Sequence, residues 1–325
     1  MTAAEILAEL PKLSALVVGD ICLDRWCTYD PALSEASRET GIPRVGVIRT
    51  EVTAGAGGTV ANNLVALGLG RVAILGLAGD DGNGYELARA LDAQHISSEM
   101  LIRASGIQTF TYTKLINSIA NMEDLPRVDF VSTVPLDPHI ETRILDLLPK
   151  AVGASDVILI SDQAETSAGG VVTPAVRNRL AELAERHPDK VFWVDSRARM
   201  ELFRQIVVKG NRDEAAAACR ATGRPDLQAL REYCRAKLLI VTEGSEGARI
   251  LEPDRECFCK TKPIPKPVDI CGAGDAFSAG AAPALAITGS PVEAVRFGNL
   301  VASITIMKPG TGTASPAEVL EAARR

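Results

Sequence analysis

The strongest chemical signal in the sequence is the run Gly272-Ala273-Gly274-Asp275, which lies between a proline-rich segment and an apolar stretch of helical period. Glycines at the start of a helix let backbone N–H groups approach an anion closely, and the helix dipole adds to the attraction. An aspartate would repel a bound anion, so its presence here indicates a role, such as accepting a proton from an attacking hydroxyl group. The run therefore predicts a phosphate site with Asp275 as a general base, and a plain helix cap is the structural alternative.

A second glycine-rich helix start covers residues 55–63, where Gly57 and Gly58 precede Thr59 and Asn62 follows within one turn. Backbone amides at such a position are suited to reading the hydroxyl groups of a ligand. The run is not a dinucleotide fingerprint, because G-x-G-x-x-G requires a glycine where Val60 stands. The P-loop pattern is missing as well, since the sequence contains no Gly-Lys pair. A Rossmann oxidoreductase is therefore disfavoured, and phosphoryl transfer would need an architecture other than the P-loop.

Strands and helices alternate along most of the chain and must position these glycine-rich turns. Ala15-Leu16-Val17-Val18 is a short apolar run with the pattern of a strand buried on both faces. Beyond residue 135 we expect strands over 156–160, 190–194, 206–208 and 238–241, a hairpin over 248–261, and helices over 138–149, 172–187, 212–221, 226–235, 274–288, 291–307 and 316–324. Such alternation predicts one α/β domain over residues 1–325, with a doubly wound, mostly parallel sheet flanked by helices.

Two segments depart from this alternation. Residues 44–53 and 107–116 are dense in β-forming residues with a period of two, which is typical of strands with one solvated face. We pair the two segments with one another in a small separate sheet. The prediction is a β-sheet lid, formed by insertions at about 24–55 and 105–131, near the carboxyl ends of the parallel strands, where ligands bind in sheets of this kind.

Composition limits the classes of partner. Lys plus Arg number 35 and Asp plus Glu number 41, so the formal net charge is −6 and binding to nucleic acid or to an anionic membrane is not expected. The sequence has neither a secretion-signal pattern nor an apolar run near the roughly 20 residues of a membrane span. Its seven cysteines form no C-x-x-C pair, which favours reduced thiols. We therefore expect a cytoplasmic protein that binds a small molecule.

Five motifs, taken in order, resemble those of the ribokinase-like (PfkB) carbohydrate kinases over nearly the whole chain. They are Gly19-Asp20-x-x-x-Asp24, Gly57-Gly58-Thr59-Val60-Ala61-Asn62, Asn211-x-x-Glu214, Thr242-Glu243-Gly244 and Gly272-Ala273-Gly274-Asp275. The resemblance implies phosphoryl transfer from ATP with Mg²⁺, with Gly272, Ala273 and Gly274 as the anion hole and Asp275 as the base. It also implies a homodimer formed through the lid, which uncovered apolar positions on a half-exposed sheet make physically reasonable.

The same resemblance assigns the remaining site residues. The contacts to the acceptor are Asp24, Gly57, Gly58 and Asn62, and the contacts to the nucleotide are Asn211, Thr242, Gly244 and Asn299. Glu214 would organise Mg²⁺ through water, because this ion keeps several waters, and Asp269 would hold a monovalent cation such as K⁺. Ordinary explanations stay open for several of these residues. Asparagine followed by glutamate three residues later is also a capping box, and short polar side chains such as Asp24 and Asn62 also bond to nearby backbone.

Within the family, the chain most resembles the kinase half of the bifunctional heptose-phosphate kinase and ADP-heptose synthase. The stretches that carry this likeness include Ser161-Asp162-Gln163-Ala164-Glu165-Thr166 and Val194-Asp195-Ser196-Arg197. That group has a lysine where Glu165 stands, and an anion near the acceptor would repel a phosphorylated sugar. The predicted activity is phosphorylation of a hydroxyl group of a sugar or sugar phosphate, heptose 7-phosphate included. Two alternatives stay open: a nucleoside kinase of the same fold, and a catalytically silent regulator that binds a sugar or a nucleotide.

Overall fold

The computed structural model describes residues 1–165 and 170–324. Its strands, in chain order, are β1 (Ser14–Gly19), β2 (Ile21–Tyr29), β3 (Val47–Ala56), β4 (Arg71–Gly79), β5 (Ser97–Ala104), β6 (Thr111–Asn117), β7 (Met122–Glu123), β8 (Val128–Phe130), β9 (Val157–Asp162), β10 (Val191–Ser196), β11 (Val207–Asn211), β12 (Leu238–Thr242), β13 (Gly247–Leu251) and β14 (Glu256–Lys260). Its α-helices are α1 (Ala3–Glu9), α2 (Gly57–Ala66), α3 (Gly82–Ala93), α4 (Pro138–Gly153), α5 (Pro174–Arg186), α6 (Arg212–Thr222), α7 (Leu227–Cys234), α8 (Ala273–Thr288), α9 (Pro291–Thr305) and α10 (Pro316–Arg324). Thr166, the last residue of the stretch compared with the heptose kinases, lies outside the described residues. Within the described ranges, no helix is long and apolar enough to cross a membrane.

A nine-stranded sheet forms the centre of the molecule, in the order β14-β13-β12-β11-β10-β9-β1-β4-β5. The seven strands β12, β11, β10, β9, β1, β4 and β5 run parallel to one another. At the other end of the sheet, β13 is antiparallel to both β12 and β14. Helices cover both faces. Leu64 of α2, Phe277 of α8 and Val301 of α9 belong to one apolar core, and Leu180 of α5 and Leu230 of α7 belong to the other. The doubly wound, mostly parallel sheet predicted from the alternation of elements is therefore confirmed.

A smaller sheet, in the order β3-β2-β6-β7 with β8 paired to β6, packs against α2 and α3 through β3. The segments 44–53 and 107–116 contribute to this sheet, but they do not pair with one another as predicted. Strand β2 lies between them, antiparallel to β3 and parallel to β6. The pairing prediction is wrong because β2 carries Asp24 and Arg25 in its middle, and these charges interrupt the apolar pattern of a strand.

The chain turns sharply between β1 and β2, and this turn connects the two sheets. Gly19 has a φ of 129°, and a side-chain carbon there would lie 2.1 Å from a backbone carbonyl oxygen of β9, so only glycine fits. The next residue, Asp20, is buried, and its carboxylate accepts hydrogen bonds of 2.8 Å from the N–H groups of Gln163, Ala164 and Val171. Burial raises the pKa of Asp20 to about 6. These contacts hold the backbone of Gln163, Ala164 and Val171 against the end of β1.

Candidate active site

A cavity of about 130 Å³ opens where the smaller sheet faces the carboxyl ends of the parallel strands. Its walls come from β2, β3, β6 and α2, from the segments after β9 and β10, and from the start of α8. The residues that line it are Asp24, Arg25, Trp26, Ala56, Thr59, Tyr112, Lys114, Arg127, Gln163, Arg197, Cys271, Gly272, Asp275 and Thr311. Asp24, Gly272 and Asp275, which belong to motifs far apart in the chain, therefore share one cavity.

The first turn of α8 forms one wall of the cavity. Gly272 is the N-cap, with a φ of 75° in the left-handed region, and no side chain of the described residues caps this helix. The N–H of Ala273 donates to the Ile270 carbonyl oxygen at 3.2 Å. The N–H groups of Gly274 and Asp275 belong to the first helical turn, which has no intrahelical acceptors. The turn therefore offers N–H donors and the positive end of a helix dipole to an anion.

Asp275 lies in this first turn and faces the cavity. Burial raises the pKa of its carboxyl group to about 7. The Asp195 carboxylate acts in the same direction, and the Lys209 ammonium opposes it. A carboxylate whose pKa lies close to neutral pH is suited to accepting a proton from a hydroxyl group.

Asp24 faces the cavity from β2. Burial raises the pKa of its carboxyl group to about 6, and the thiol of Cys22 donates to its Oδ1 at 3.7 Å. A side-chain carbon at Gly55 would lie 2.5 Å from this carboxyl group, so glycine on β3 leaves room for it. The carboxylate keeps acceptor capacity for the hydroxyl groups of a ligand.

Four cationic side chains line the same cavity. Each has an acidic partner outside the lining: Arg25 with Glu86 at 3.7 Å, Lys114 with Glu123 at 3.9 Å, Arg127 with Asp129 at 2.7 Å, and Arg197 with Glu165. Sequence reasoning missed these cations. Alternation along β6 puts Tyr112 and Lys114 on one face, and this signal could have identified Lys114. Arg127 and Arg197 lie in loops, where no period marks the direction of a side chain.

Three of the predicted acceptor residues lie behind the cavity wall and not in its lining. Gly57 and Gly58 begin α2 and are buried, and side-chain carbons there would lie 2.7 and 2.5 Å from neighbouring side chains. Asn62 is buried, and its Nδ2 donates to the Ala54 carbonyl oxygen at 3.1 Å. Its Oδ1 has no hydrogen-bond partner among the described residues. Thr59, in the first turn of α2, is the residue of this motif that lines the cavity. Direct contact of Gly57, Gly58 and Asn62 with the acceptor stays a prediction.

The predicted nucleotide contacts lie mainly at the ends of β11 and β12. Asn211 and Thr242 are paired across these strands, and Gly244 begins a short turn after β12 with a φ of 58°. Asn211 and Glu214 form a capping box: the Glu214 N–H donates to Asn211 Oδ1 at 2.9 Å, and the Asn211 N–H donates to Glu214 Oε2 at 2.7 Å. The motif therefore acts as a helix capping box in this fold. The second carboxylate oxygen of Glu214, Oε1, takes no part in the capping box. Asn299 lies on α9, and its buried Nδ2 has no partner in the described part of the chain.

Glu214 and Asp269 are the residues predicted to bind cations. Burial raises the pKa of Glu214, and residues 1–165 and 170–324 contain no cluster of three or more Asp, Glu, His or Cys side chains that could hold a metal. A single carboxylate such as that of Glu214 still fits Mg²⁺, because this ion keeps several waters and binds through one or two carboxylates plus substrate phosphates. The Asp269 carboxylate accepts from the N–H groups of Cys271 at 2.8 Å and Gly310 at 3.1 Å, so it joins two loops. Its role toward K⁺ stays a prediction.

Solved structures of ribokinases have the same fold. The ribokinase of Thermotoga maritima has a TM-score of 0.70 and 20% identity, and the match covers 96% of this chain and the whole of that one. The ribokinase of Arabidopsis thaliana, complexed with ribose and ATP, has a TM-score of 0.69 and 17% identity, over 96% of this chain and 99% of that one. The fold is therefore that of the ribokinase-like α/β proteins.

The sequence profile of the pfkB family carbohydrate kinases matches residues 14–318, so the chain belongs to the PfkB family of carbohydrate kinases. The bifunctional protein HldE of Trichlorobacter lovleyi is 32% identical over 323 residues, which cover 95% of this chain. That of Pelobacter propionicus is 29% identical over 327 residues, which cover 98% of this chain. This chain spans 62% and 64% of the lengths of these two relatives, respectively. The resemblance predicted from the order of the motifs is confirmed, and the enzyme class is that of the ATP-dependent carbohydrate kinases.

Proposed function

We propose that this protein transfers the γ-phosphoryl group of ATP to a hydroxyl group of a sugar phosphate, with heptose 7-phosphate as one acceptor of this class. The observation that carries the proposal is the single cavity lined by Asp24, Asp275 and the first turn of α8. The Arabidopsis thaliana ribokinase, whose solved structure holds ribose and ATP, has the same fold and supports ATP as the donor.

In the proposed reaction, Asp275 accepts the proton of the acceptor hydroxyl group as that oxygen forms a bond to the γ-phosphorus. The bond from this phosphorus to the bridging oxygen breaks, and ADP leaves with the electron pair. N–H groups of the turn Gly272-Ala273-Gly274 stabilise the charge on the transferring group, and Asp24 binds acceptor hydroxyl groups. Glu214 would hold Mg²⁺ through water, and the ion would supply positive charge to the nucleotide phosphates.

The charge of the cavity supports a phosphorylated acceptor over a free sugar. Its described lining contains four cations and only two carboxylates, and the acidic partners of the four cations lie outside the lining, farther from a ligand. Lys114 belongs to the smaller sheet, as does Asp24, which is the expected acceptor contact. Guanidinium groups such as that of Arg127 bind phosphate with paired, charge-assisted hydrogen bonds. Glu165, an anion expected from the sequence to repel an acceptor phosphate, is ion-paired with Arg197 and does not line the cavity.

We also propose that two chains associate through the smaller sheet. Exposed apolar side chains are concentrated on and around β3, β7 and β8: Val45, Val47, Ile48, Val52, Ile119, Met122 and Val128. Monomeric proteins rarely leave such apolar patches uncovered. Sedimentation velocity should give a dimer for the wild-type protein and a monomer for Val47→Asp, and a wild-type monomer at tens of micromolar would refute the association. A cytoplasmic location stays a prediction.

Coupled measurement of ADP release tests the activity. Purified protein with Mg-ATP is assayed against free sugars, sugar phosphates including heptose 7-phosphate, and nucleosides. We expect release that depends on a sugar phosphate and that falls by about 10²- to 10⁴-fold in Asp275→Asn, the range for loss of a general base. Asp137→Asn is the matched control, because Asp137 caps α4 away from the cavity and asparagine caps a helix equally well.

Each other outcome has a definite meaning. Release stimulated only by free sugars, or only by nucleosides, would replace the sugar phosphate with that class of acceptor. If no acceptor stimulates release while ATP still raises the melting temperature, the protein is a binding regulator and the proposed activity is wrong. An Asp275→Asn protein as fast as wild type would exclude Asp275 as the base.

A further inference from the structure

The carboxyl ends of β10 and β11 carry a buried ion pair that no motif predicted. Asp195 and Lys209 are direct partners in the register of these two parallel strands. Lys209 Nζ lies 2.5 Å from Asp195 Oδ2, and the Lys209 side chain is only 5% exposed. Burying two charges costs more free energy than burying apolar residues of the same size. Stabilisation of the fold is therefore a poor explanation for this pair. Its presence at this edge of the sheet points to a functional role.

The Lys209 ammonium lies directly against the first turn of α8. A side-chain carbon at Gly274 would lie 2.9 Å from Lys209 Nζ and 3.8 Å from Asp195 Oδ2. Ser278, one turn further along α8, donates to the same Asp195 oxygen at 3.4 Å. Glycine at position 274 therefore leaves room for a cation of the protein as well as for a ligand. The ammonium therefore lies beside the first turn of α8, whose N–H groups the proposed reaction assigns to the transferring phosphoryl group.

Lys209 stays charged and has donors to spare. Removal from water lowers the pKa of Lys209, but the carboxylates around it, that of Asp195 above all, more than offset this effect, so that the pKa lies above its ordinary value. An ammonium group has three N–H donors, and among the described residues that of Lys209 makes one hydrogen bond, to Asp195. Buried donors are nearly always satisfied. The two remaining donors, at an anion-binding helix start, therefore indicate a ligand with acceptor oxygens.

We propose that Lys209 is the cationic member of the anion hole and binds the terminal phosphates of ATP, and that Asp195 holds the ammonium in place before the nucleotide arrives. The inference rests on the proposed function, because the first turn of α8 must receive the γ-phosphoryl group. Lys209 directs its two free N–H bonds to phosphate oxygens, and its full charge adds to the partial charges of the helix start. Asp195 acts through Lys209 and is a positioning residue.

Nucleotide binding separates this role from a merely structural one. Isothermal titration calorimetry gives the Kd of Mg-ATP and of adenosine for the wild type, for Lys209→Met and for Asp195→Asn/Lys209→Met. The double variant leaves no unpaired buried charge, so it keeps the test open if Lys209→Met alone does not fold. Lys190→Met is the matched control, because Lys190 directly precedes β10 at the opposite edge of the sheet and bonds the Ser155 carbonyl oxygen.

We expect the Kd of Mg-ATP to rise about tenfold or more in the folded variants, the value of one or more hydrogen bonds to a charged group, and that of adenosine to stay within about twofold. The rate of ADP release at saturating substrates should fall about 10²-fold, as for loss of one anion-hole donor. An unchanged Kd for Mg-ATP, or equal losses for Mg-ATP and adenosine, would overturn the proposal. If the wild type binds Mg-ATP without acceptor-dependent ADP release, the proposed function fails, and the comparison of the two ligands still decides the role of Lys209.

Discussion

The pKa of Asp275 predicts a marked dependence of activity on pH. Burial raises this pKa from an ordinary value of 3.8 to about 7. The base works only in its ionised form, which makes up about one molecule in eleven at pH 6 and about ten in eleven at pH 8. The kcat/KM for the acceptor should therefore rise about tenfold between pH 6 and pH 8 and then level off. With an ordinary pKa, the base would be fully ionised throughout this range.

Besides burial, four charged groups among the described residues shift this pKa. Asp195 and Asp24 raise the pKa of Asp275, and Lys209 and Arg197 lower it. Asp195→Asn removes the larger of the two raising charges, so we expect its midpoint to lie at lower pH than that of the wild type.

The assay is kcat/KM for the acceptor from pH 5.5 to pH 9 at constant ionic strength, with the coupling enzymes in excess at each pH. A phosphate monoester itself titrates near pH 6, and the comparison between the two proteins cancels that contribution. A flat profile for the wild type, or the same midpoint in both proteins, would refute the assignment of Asp275 as a base of raised pKa.

Three further predictions test the same cavity. Asp275→Asn should melt at a higher temperature than the wild type at pH 8 and show a smaller difference at pH 5, because a carboxyl group whose folded pKa is raised to about 7 costs stability that grows as pH rises from about 4 to 7; scanning fluorimetry at both values checks this. Lys114→Met should raise the KM for a sugar phosphate about tenfold or more and leave the KM for Mg-ATP within about twofold, whereas Lys150→Met at the exposed end of α4 should change neither. Gly274→Ala should lower kcat about tenfold or more, since its methyl group would lie 2.9 Å from Lys209 Nζ; wild-type turnover in this variant would contradict that contact.

The large sheet could be predicted because strands buried on both faces need uninterrupted apolar runs, and β9, β10 and β12 each begin with four apolar residues. Strand β2 could not be predicted, because it leads from the core to the cavity. Asp24 and Arg25 line the cavity and interrupt the apolar pattern by which a strand is recognised. The strand pairing within the smaller sheet depends on β2, and the same interruption therefore hides it.

Part of the site has a local sequence signature and part of it has none. Glycines at a helix start followed by an acid identify Gly272 and Asp275 within one turn, and the structure brings both into the cavity. The position of the Lys209 side chain is fixed by its ion pair with Asp195 on the neighbouring strand, fourteen residues away in sequence. Register across a parallel sheet decides that pairing, and no local pattern shows that a lysine before Asn211 is buried.

The cavity joins two walls that belong to different sheets. The wall with Asp275 and the start of α8 is built on the large sheet, and the opposite wall, with Trp26 and Tyr112, is built on the smaller one. On the proposed mechanism, mutations in the second wall change which alcohol is accepted and leave the groups that transfer the phosphoryl unit untouched. Directed evolution toward a new acceptor therefore has a natural target, because a library restricted to the inward-facing positions of β2 and β6 explores specificity while sparing the chemical step.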